Sequence, residues 1–442
     1  MTKQAITQAD WIISPGTETP ALQNASLIIN AGRIEAIGPA DAIDTADCEC
    51  FDARGMVLIP GLINTHGHFL QTLTRALPAA QNSGVIDWQR HHLPLWLKAT
   101  PEALQSATGI AAAELLLSGC TTSMDHNYLW PNGCRVDDQV EVMQHIGMRF
   151  HVARGAVSQG EHGEDEALIV ADYERIISHY HDPSPGSMLQ VILAPCSPYS
   201  VSPALMRDTA ALARQHHIRL HTHLAESQHE VDWCRSNLGE TPVSHVESLD
   251  WLGDDVWFAH GVHLSSSDIV RLGVNGCGIT HCPCSNMRLG SGVAAVSAMR
   301  ARGIPVGLGV DGAASNDSAN LLAEARQALL LQRVTHGADA LTAEQALSMA
   351  TREGAALLGR SDIGELAPGK AADIVGYRLD RLELAGGAVH DPLGALVFCA
   401  PARADWVMVN GKTRVKDAML VDYDLNEAIA THNALASALT EP

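Results

Sequence analysis

The chain has 442 residues, 46% of them hydrophobic and 18% charged, an ordinary globular balance with enough length to bury a large core. A formal charge of −21 argues against a nucleic-acid backbone or an anionic membrane as partner and disfavours a strongly anionic substrate. No apolar run approaches the ~18 residues of a membrane span, and Met1-Thr2-Lys3-Gln4-Ala5 lacks an apolar signal core, so a cytoplasmic protein with reduced cysteines is expected.

In chain order, the first ~60 residues read as short strands and turns. Ala25 to Asn30 runs through Ala31-Gly32-Arg33, a hairpin signal, into Ile34 to Ile37, and Met56 to Ile59 is a further strand. The pattern then changes to strand, helix, strand. Eight apolar runs, at 62–64, 121–124, 149–152, 191–194, 219–222, 256–259, 278–280 and 306–310, read as strands. Helices lie between them. One runs from Pro101 to Ser118, with Thr100 as N-cap, Pro101 at the first helical position and Gly119 as its stop; another runs from Pro203 to His216. The segment from Phe69 to Ala99 is too long for a simple βα loop and is expected to cover a pocket. Near the C-terminus, Ala372 to Tyr377 and Trp406 to Gly411 return to the strand-and-turn style.

Eight strands alternating with helices predict an α/β fold, a (β/α)8 TIM-like barrel. A doubly wound sheet is disfavoured because no Gly-rich phosphate loop follows the first strand. The expected domains are 1–60, one half of a small discontinuous β-sandwich domain; 61–364, the barrel; and 365–442, the other half of the sandwich plus a terminal helix.

Catalytic groups of such barrels sit at the C-terminal ends of the strands. There the first strand leads to His66-Gly67-His68, the fifth to His221-Thr222-His223, the sixth to His260, the seventh to His281-Cys282-Pro283 and the eighth to Asp311. Alternate residues on a strand point the same way, so His66 and His68 should converge. A lone histidine among 22 means little, but this order of His-x-His, His, His and Asp is hard to produce by accident. Imidazoles with one carboxylate suit zinc or iron(II) and leave room for a water, whose pKa the ion lowers. Cys282 and Cys284 have no second cysteine pair, which disfavours a structural zinc site there.

These segments resemble the amidohydrolase superfamily, in its aminohydrolase branch. The resemblance spans nearly the whole chain. It rests on Pro60 to His68, His223-Leu224-Ala225-Glu226, Ala259 to Leu264, His281 to Asn286, Gly309-Val310-Asp311-Gly312 and Pro368 to Ile374. It implies a metal-dependent hydrolase with one divalent ion on His66, His68, His223 and Asp311, with Glu226 as proton carrier and His260 as a further catalytic residue. The binuclear branch has a carboxylated lysine after strand four, where this chain reads Ala194-Pro195-Cys196-Ser197; a single ion, zinc or iron(II), is therefore implied.

Narrower features are similar to the 8-oxoguanine deaminases and their isoxanthopterin-deaminating and hydroxyatrazine-hydrolysing relatives. These are Gln71 to Ala76, Pro78 to Asn82, Met124 to Tyr128, Ala194 to Pro198 and Val310 to Asp317. Guanine deaminases share glutamine at the Gln71 offset but carry arginine where Cys196 stands. Gly67 occupies a place where many members have histidine. The resemblance implies conversion of 8-oxoguanine to urate and ammonia. Its alternatives are isoxanthopterin or guanine deamination, removal of an amine or chloride from an s-triazine, and a catalytically inert ligand-binding barrel. Gln71, Trp96, His126, Cys196 and Asn286 are the expected substrate contacts, and Trp88 and Trp96 stack on the ring or pack within their own loop. A homo-oligomer acting on a small heterocycle is expected.

Overall fold

A computed structural model describes residues 3–441. Eight parallel strands close a barrel: β1 (Leu62–Asn64), β2 (Cys120–Asn127), β3 (Arg149–Ala156), β4 (Leu189–Pro195), β5 (Leu220–Leu224), β6 (Val256–His260), β7 (Gly278–His281) and β8 (Val306–Leu308). Each pairs with the next in sequence, and β8 closes on β1 where Leu308 lies opposite Asn64. All eight sequence-predicted runs are barrel strands.

The helices begin and end on the signals that predict them. Pro101–Leu117 has Thr100 accepting from the Ala103 amide, and Ser118 caps its end. Gly119 follows at φ 96°, where a Cβ would stand 2.5 Å from the Tyr377 hydroxyl, so both backbone and space demand glycine. Pro203–Gln215 begins at Ser202, which accepts from the Leu205 amide. Apolar side chains between barrel and helices form the main core, and a smaller set including Ile63, Met124, Ile192 and Trp257 is a second buried cluster. The 69–99 segment is partly ordered as short 3-10 turns at Phe69–Thr74 and Pro78–Ala80 and a helix at Val85–Trp96.

Both termini build one mixed nine-stranded sheet, joined where Met56–Pro60 pairs antiparallel with Ile374–Arg378. It turns back on itself: Phe51 stacks on Trp406, from well-separated strands, at 4.7 Å between ring centroids. Ile6, Leu27, Leu58, Ile374 and Met408 fill the separate core inside. The terminal helix, Leu425–Thr440, returns to the barrel, where His432 Nδ1 lies 3.2 Å from the Ser106 hydroxyl of the Pro101–Leu117 helix. Among the described residues no helix is long and apolar enough to cross a membrane.

Candidate active site

The strand ends bring the predicted residues together, though not by the expected route. β1 stops at Asn64, so His66 lies beyond it. Gly67–His68 instead forms its own two-residue parallel ladder with Asp311–Gly312. The two imidazoles therefore do not converge by alternation along one strand, as expected: a break in the strand aims His66, and the ladder aims His68. Asp311 has φ 58° and His260 φ 73°. Non-glycine residues held there cost of order 1–3 kcal/mol each, and such strain gathers where geometry serves function. Gly312 has no room for a side chain: a Cβ would meet Gln71 Oε1 at 1.7 Å.

The hydrogen bonds around these imidazoles decide which nitrogens carry protons. His68 Nδ1 lies 2.7 Å from the His126 carbonyl, and His223 Nδ1 lies 2.6 Å from the Cys196 carbonyl. A carbonyl only accepts, so both Nδ1 atoms donate and, in the neutral rings a metal requires, both Nε2 atoms bear lone pairs. His221 Nδ1 donates to the Trp257 carbonyl at 3.0 Å, which leaves its Nε2 to accept from His66 Nδ1 at 2.9 Å. His66 Nε2 is therefore also a lone pair. These three acceptors face one another and a carboxylate. His68 Nε2 is 3.2 Å from His223 Nε2, and Asp311 Oδ1 is 3.2 Å from both His66 Nε2 and His68 Nε2. Buried acceptors so close together, with no hydrogen among them, repel unless a cation lies between, so this donor set fits a divalent ion. The partners behind the imidazoles set tautomer and orientation as metal sites require. The Ser315 hydroxyl donates to Asp311 Oδ2 at 2.9 Å.

Two further groups face the same point. His260 Nδ1 is 2.9 Å from Asn286 Oδ1, which leaves its Nε2 a buried acceptor without a partner. Glu226 lies three residues past His223 on the cavity wall. Burial raises its pKa above the ordinary carboxylate value, Asp311 adds to that, and His260 opposes it. A carboxyl shifted in that direction holds a proton more readily than an exposed one, which suits a group that takes and gives a proton. Glu230 was not anticipated. Its carboxylate accepts from the amides of Ala225 at 2.8 Å and Glu226 at 2.9 Å, fixing the turn that presents Glu226. Ser227-x-x-Glu230 is a capping-box spacing, the signal that would have singled out Glu230; its side chain reaches past the N-cap to the two preceding amides.

A cavity of about 300 Å3 opens above this cluster. His68, His223, Glu226, His260 and Asp311 line it, as do Gln71, Trp96 and Cys196 among the predicted substrate contacts. His126 and Asn286, also expected as substrate contacts, do not line it. Asn286 Oδ1 accepts from His260 Nδ1 while its Nδ2 is buried without a partner, and His126 lies beside the imidazoles, its Nε2 donating to the Ala194 carbonyl at 2.7 Å. The 69–99 segment does cover the pocket, through Gln71, Val85, Trp88, Leu93 and Trp96. Both indole N–H groups are used within the protein: Trp88 donates to the Ala314 carbonyl and Trp96 to the Thr74 hydroxyl, each at 2.9 Å. The two tryptophans therefore offer rings rather than donors. Gln71 Oε1 is buried without a partner. Tyr128, the last residue of the Met124 to Tyr128 feature, and the Gln159–His162 turn also line the wall; nothing in the sequence marked the turn.

Residues 57–414 match the amidohydrolase family. The chain is 48% identical over 425 residues to an 8-oxoguanine deaminase of Pseudomonas aeruginosa, covering 93% of this chain and 94% of that one. It is 34% identical over 463 residues to an isoxanthopterin deaminase of an unknown prokaryote, covering 92% and 94%. Among solved structures, an atrazine chlorohydrolase from Arthrobacter aurescens TC1 complexed with zinc superposes with a TM-score of 0.93 at 31% identity, covering 98% of this chain and 99% of that one. The chain belongs to the amidohydrolase family, and its cofactor is a divalent metal ion.

Proposed function

We propose that this amidohydrolase deaminates 8-oxoguanine to urate and ammonia, using one zinc ion held by His66, His68, His223 and Asp311. The observation that carries the reading is the convergence of lone pairs beside a free, proton-ready Glu226 under an aromatic-walled cavity. A divalent ion in such a set lowers the pKa of a water from 15.7 to about 7 and so supplies a nucleophile at neutral pH.

The protein's own groups do the rest. His260 Nε2, fixed as an acceptor by Asn286, takes a hydrogen bond from the attacking water, and Asp311 Oδ2, held by Ser315, orients it from the other side. Glu226 receives the proton released as oxygen adds to the amino-bearing carbon and passes it to the adjacent ring nitrogen. The proton of the added hydroxyl then passes through Glu226 to the amino nitrogen, the C–N bond breaks, the carbon becomes a carbonyl and ammonia leaves. Trp88 and Trp96 bound the flat ring. Gln71 offers an unsatisfied amide oxygen to a ring N–H. Cys196 is a neutral thiol, since burial first and then the Glu226 charge push its pKa up to about 12. It suits a neutral or weakly anionic heterocycle, where an arginine would select a different edge.

The test is steady-state release of ammonia from 8-oxoguanine, isoxanthopterin and guanine, and of ethylamine from hydroxyatrazine. The reading expects 8-oxoguanine to have at least tenfold the kcat/KM of any other. Isoxanthopterin as the best substrate would replace the purine and keep the chemistry. Release of neither ammonia nor ethylamine from any of the four would end the aminohydrolase reading. Removing the metal should abolish turnover, and restoration by zinc but not iron(II) supports zinc.

A further inference from the structure

We propose that His126 is a metal-binding residue, and that His66, His68, His126 and His223 form a second, all-imidazole cation set beside the one that includes Asp311. This rests on the metal-centre reading above and extends it. His126 Nε2 donates to the Ala194 carbonyl, so the lone pair of the neutral ring is on Nδ1. That Nδ1 is fully buried and has no hydrogen-bond partner. A second proton there would leave a buried cation pressed among other imidazoles, at high desolvation cost. The ring stacks on His223 at 5.0 Å and lies 5.5 Å from His68 and 5.9 Å from His66.

Donor atoms of His66, His68, His126 and His223 all lie within 4.8 Å of one another, the same bound that holds His66, His223, His260 and Asp311 together. The all-imidazole set shares His66, His68 and His223 with the proposed Asp311 site, so one ion occupies one position or the other and never both. Four neutral imidazoles without a carboxylate favour zinc, cobalt, nickel or copper over magnesium, calcium or manganese. An ion on the His126 side keeps its protein ligands when Asp311 is disengaged. His126 thereby acts as the reserve ligand that holds the metal in the chain.

The experiment uses Co2+ as the probe, with affinity measured by chelator competition and coordination by visible absorption. Wild type should take one Co2+ per chain. Asp311→Ala should still take one, with the intense absorption of a four-coordinate nitrogen set. Adding His126→Gln, which keeps a donor for Ala194, should weaken Co2+ binding at least tenfold and bleach that absorption. Equal affinity and equal spectra for Asp311→Ala with and without His126→Gln would overturn the proposal while leaving the Asp311 site standing. Failure of wild type to bind Co2+ would instead bring down the metal-centre reading, and this inference with it. If Asp311→Ala does not fold, Co2+ release to excess chelator is compared between wild type and His126→Gln. At least tenfold faster release supports the reserve ligand, and equal rates overturn it.

Discussion

Two buried polar clusters lie at opposite ends of the barrel and handle charge in opposite ways. At the base, Arg149 and Asp373 form a bidentate pair with both contacts at 2.9 Å, their side chains 0% and 3% exposed. The remaining capacity is filled: Arg149 Nη1 donates to the Gly186 and Ser187 carbonyls, and Asp373 Oδ1 accepts from the Asn410 amide. Arg360 and Asp362 repeat the arrangement nearby. At the rim, buried acceptors face acceptors, His260 Nε2 and His126 Nδ1 have no partner, and Asp311 and His260 hold left-handed backbone. Polar groups that satisfy one another join the barrel to the outer sheet. Polar groups that cannot satisfy one another need an ion and a substrate to complete them.

The sharpest way to break that contrast is at Glu226. It carries two proton transfers in the proposed reaction, and nothing in the protein depends on it for support. Glu226→Gln should lower kcat by about 10⁴-fold, the upper range for a general acid–base group, while metal content stays at one ion per chain and thermal unfolding is little changed. Retained turnover would remove Glu226 from the scheme.

The base should give the opposite result. Asp373→Asn leaves Arg149 buried with half its partner gone, and breaking such a pair costs about 3–5 kcal/mol. Denaturant unfolding should register that loss, whereas the protein that remains folded should bind metal and turn over at the wild-type kcat. A drop in kcat without a drop in stability would show that the two ends are not separate.

Much of this contrast was legible before any coordinates. The barrel strands are buried on both sides and so read as continuous apolar runs, and the helices carry their own N-caps, Thr100 and Ser202. The rim ligands were legible because chemistry fixes their types and the fold fixes their order. What escaped was set by irregular backbone or by reach. Lys3–Ile13 is an 11-residue strand, but Gln8, at φ 56°, interrupts its alternation and shifts the register against Ala21–Asn30. Cys48–Asp52 pairs parallel to it and is too exposed to show a buried face. For His126 and Asn286 the position in the sequence locates them at the rim, but only hydrogen bonds tell whether a side chain faces the cavity or a neighbouring imidazole.

Glu230 sharpens the comparison from within the rim. It is buried and satisfied like the groups at the base, yet it serves the site by holding the Ala225 and Glu226 amides. Glu230→Gln keeps one acceptor and turns an N–H group toward the other amide. The Glu226 carboxyl then loses its aim, and kcat should fall by roughly 10–100-fold, as for other groups that orient a catalytic residue. Metal affinity should not move, because none of the ligand hydrogen bonds involves Glu230. A loss of metal instead would mean that the turn positions His223 as well.

The smallest effect is expected at Cys196, and it tests whether the rim is as closed as its unpartnered groups imply. Burial and then the charge of Glu226 raise this thiol to about 12. The thiolate is the reactive form, so between pH 6 and pH 9 nearly all of Cys196 remains protonated and slow to alkylate. Cys50 and Cys399 are exposed. Iodoacetamide at pH 8 should therefore label those two first, by peptide mapping, and leave activity within about twofold of untreated enzyme while they react. Inactivation should quicken as pH rises toward 12, since each unit of pH below that value multiplies the thiolate fraction by about ten. If Cys196 were alkylated as fast as Cys50 at pH 8, it would have to be ionised or freely hydrated. Water would then reach the acceptors around it, and they would need no cation to settle them.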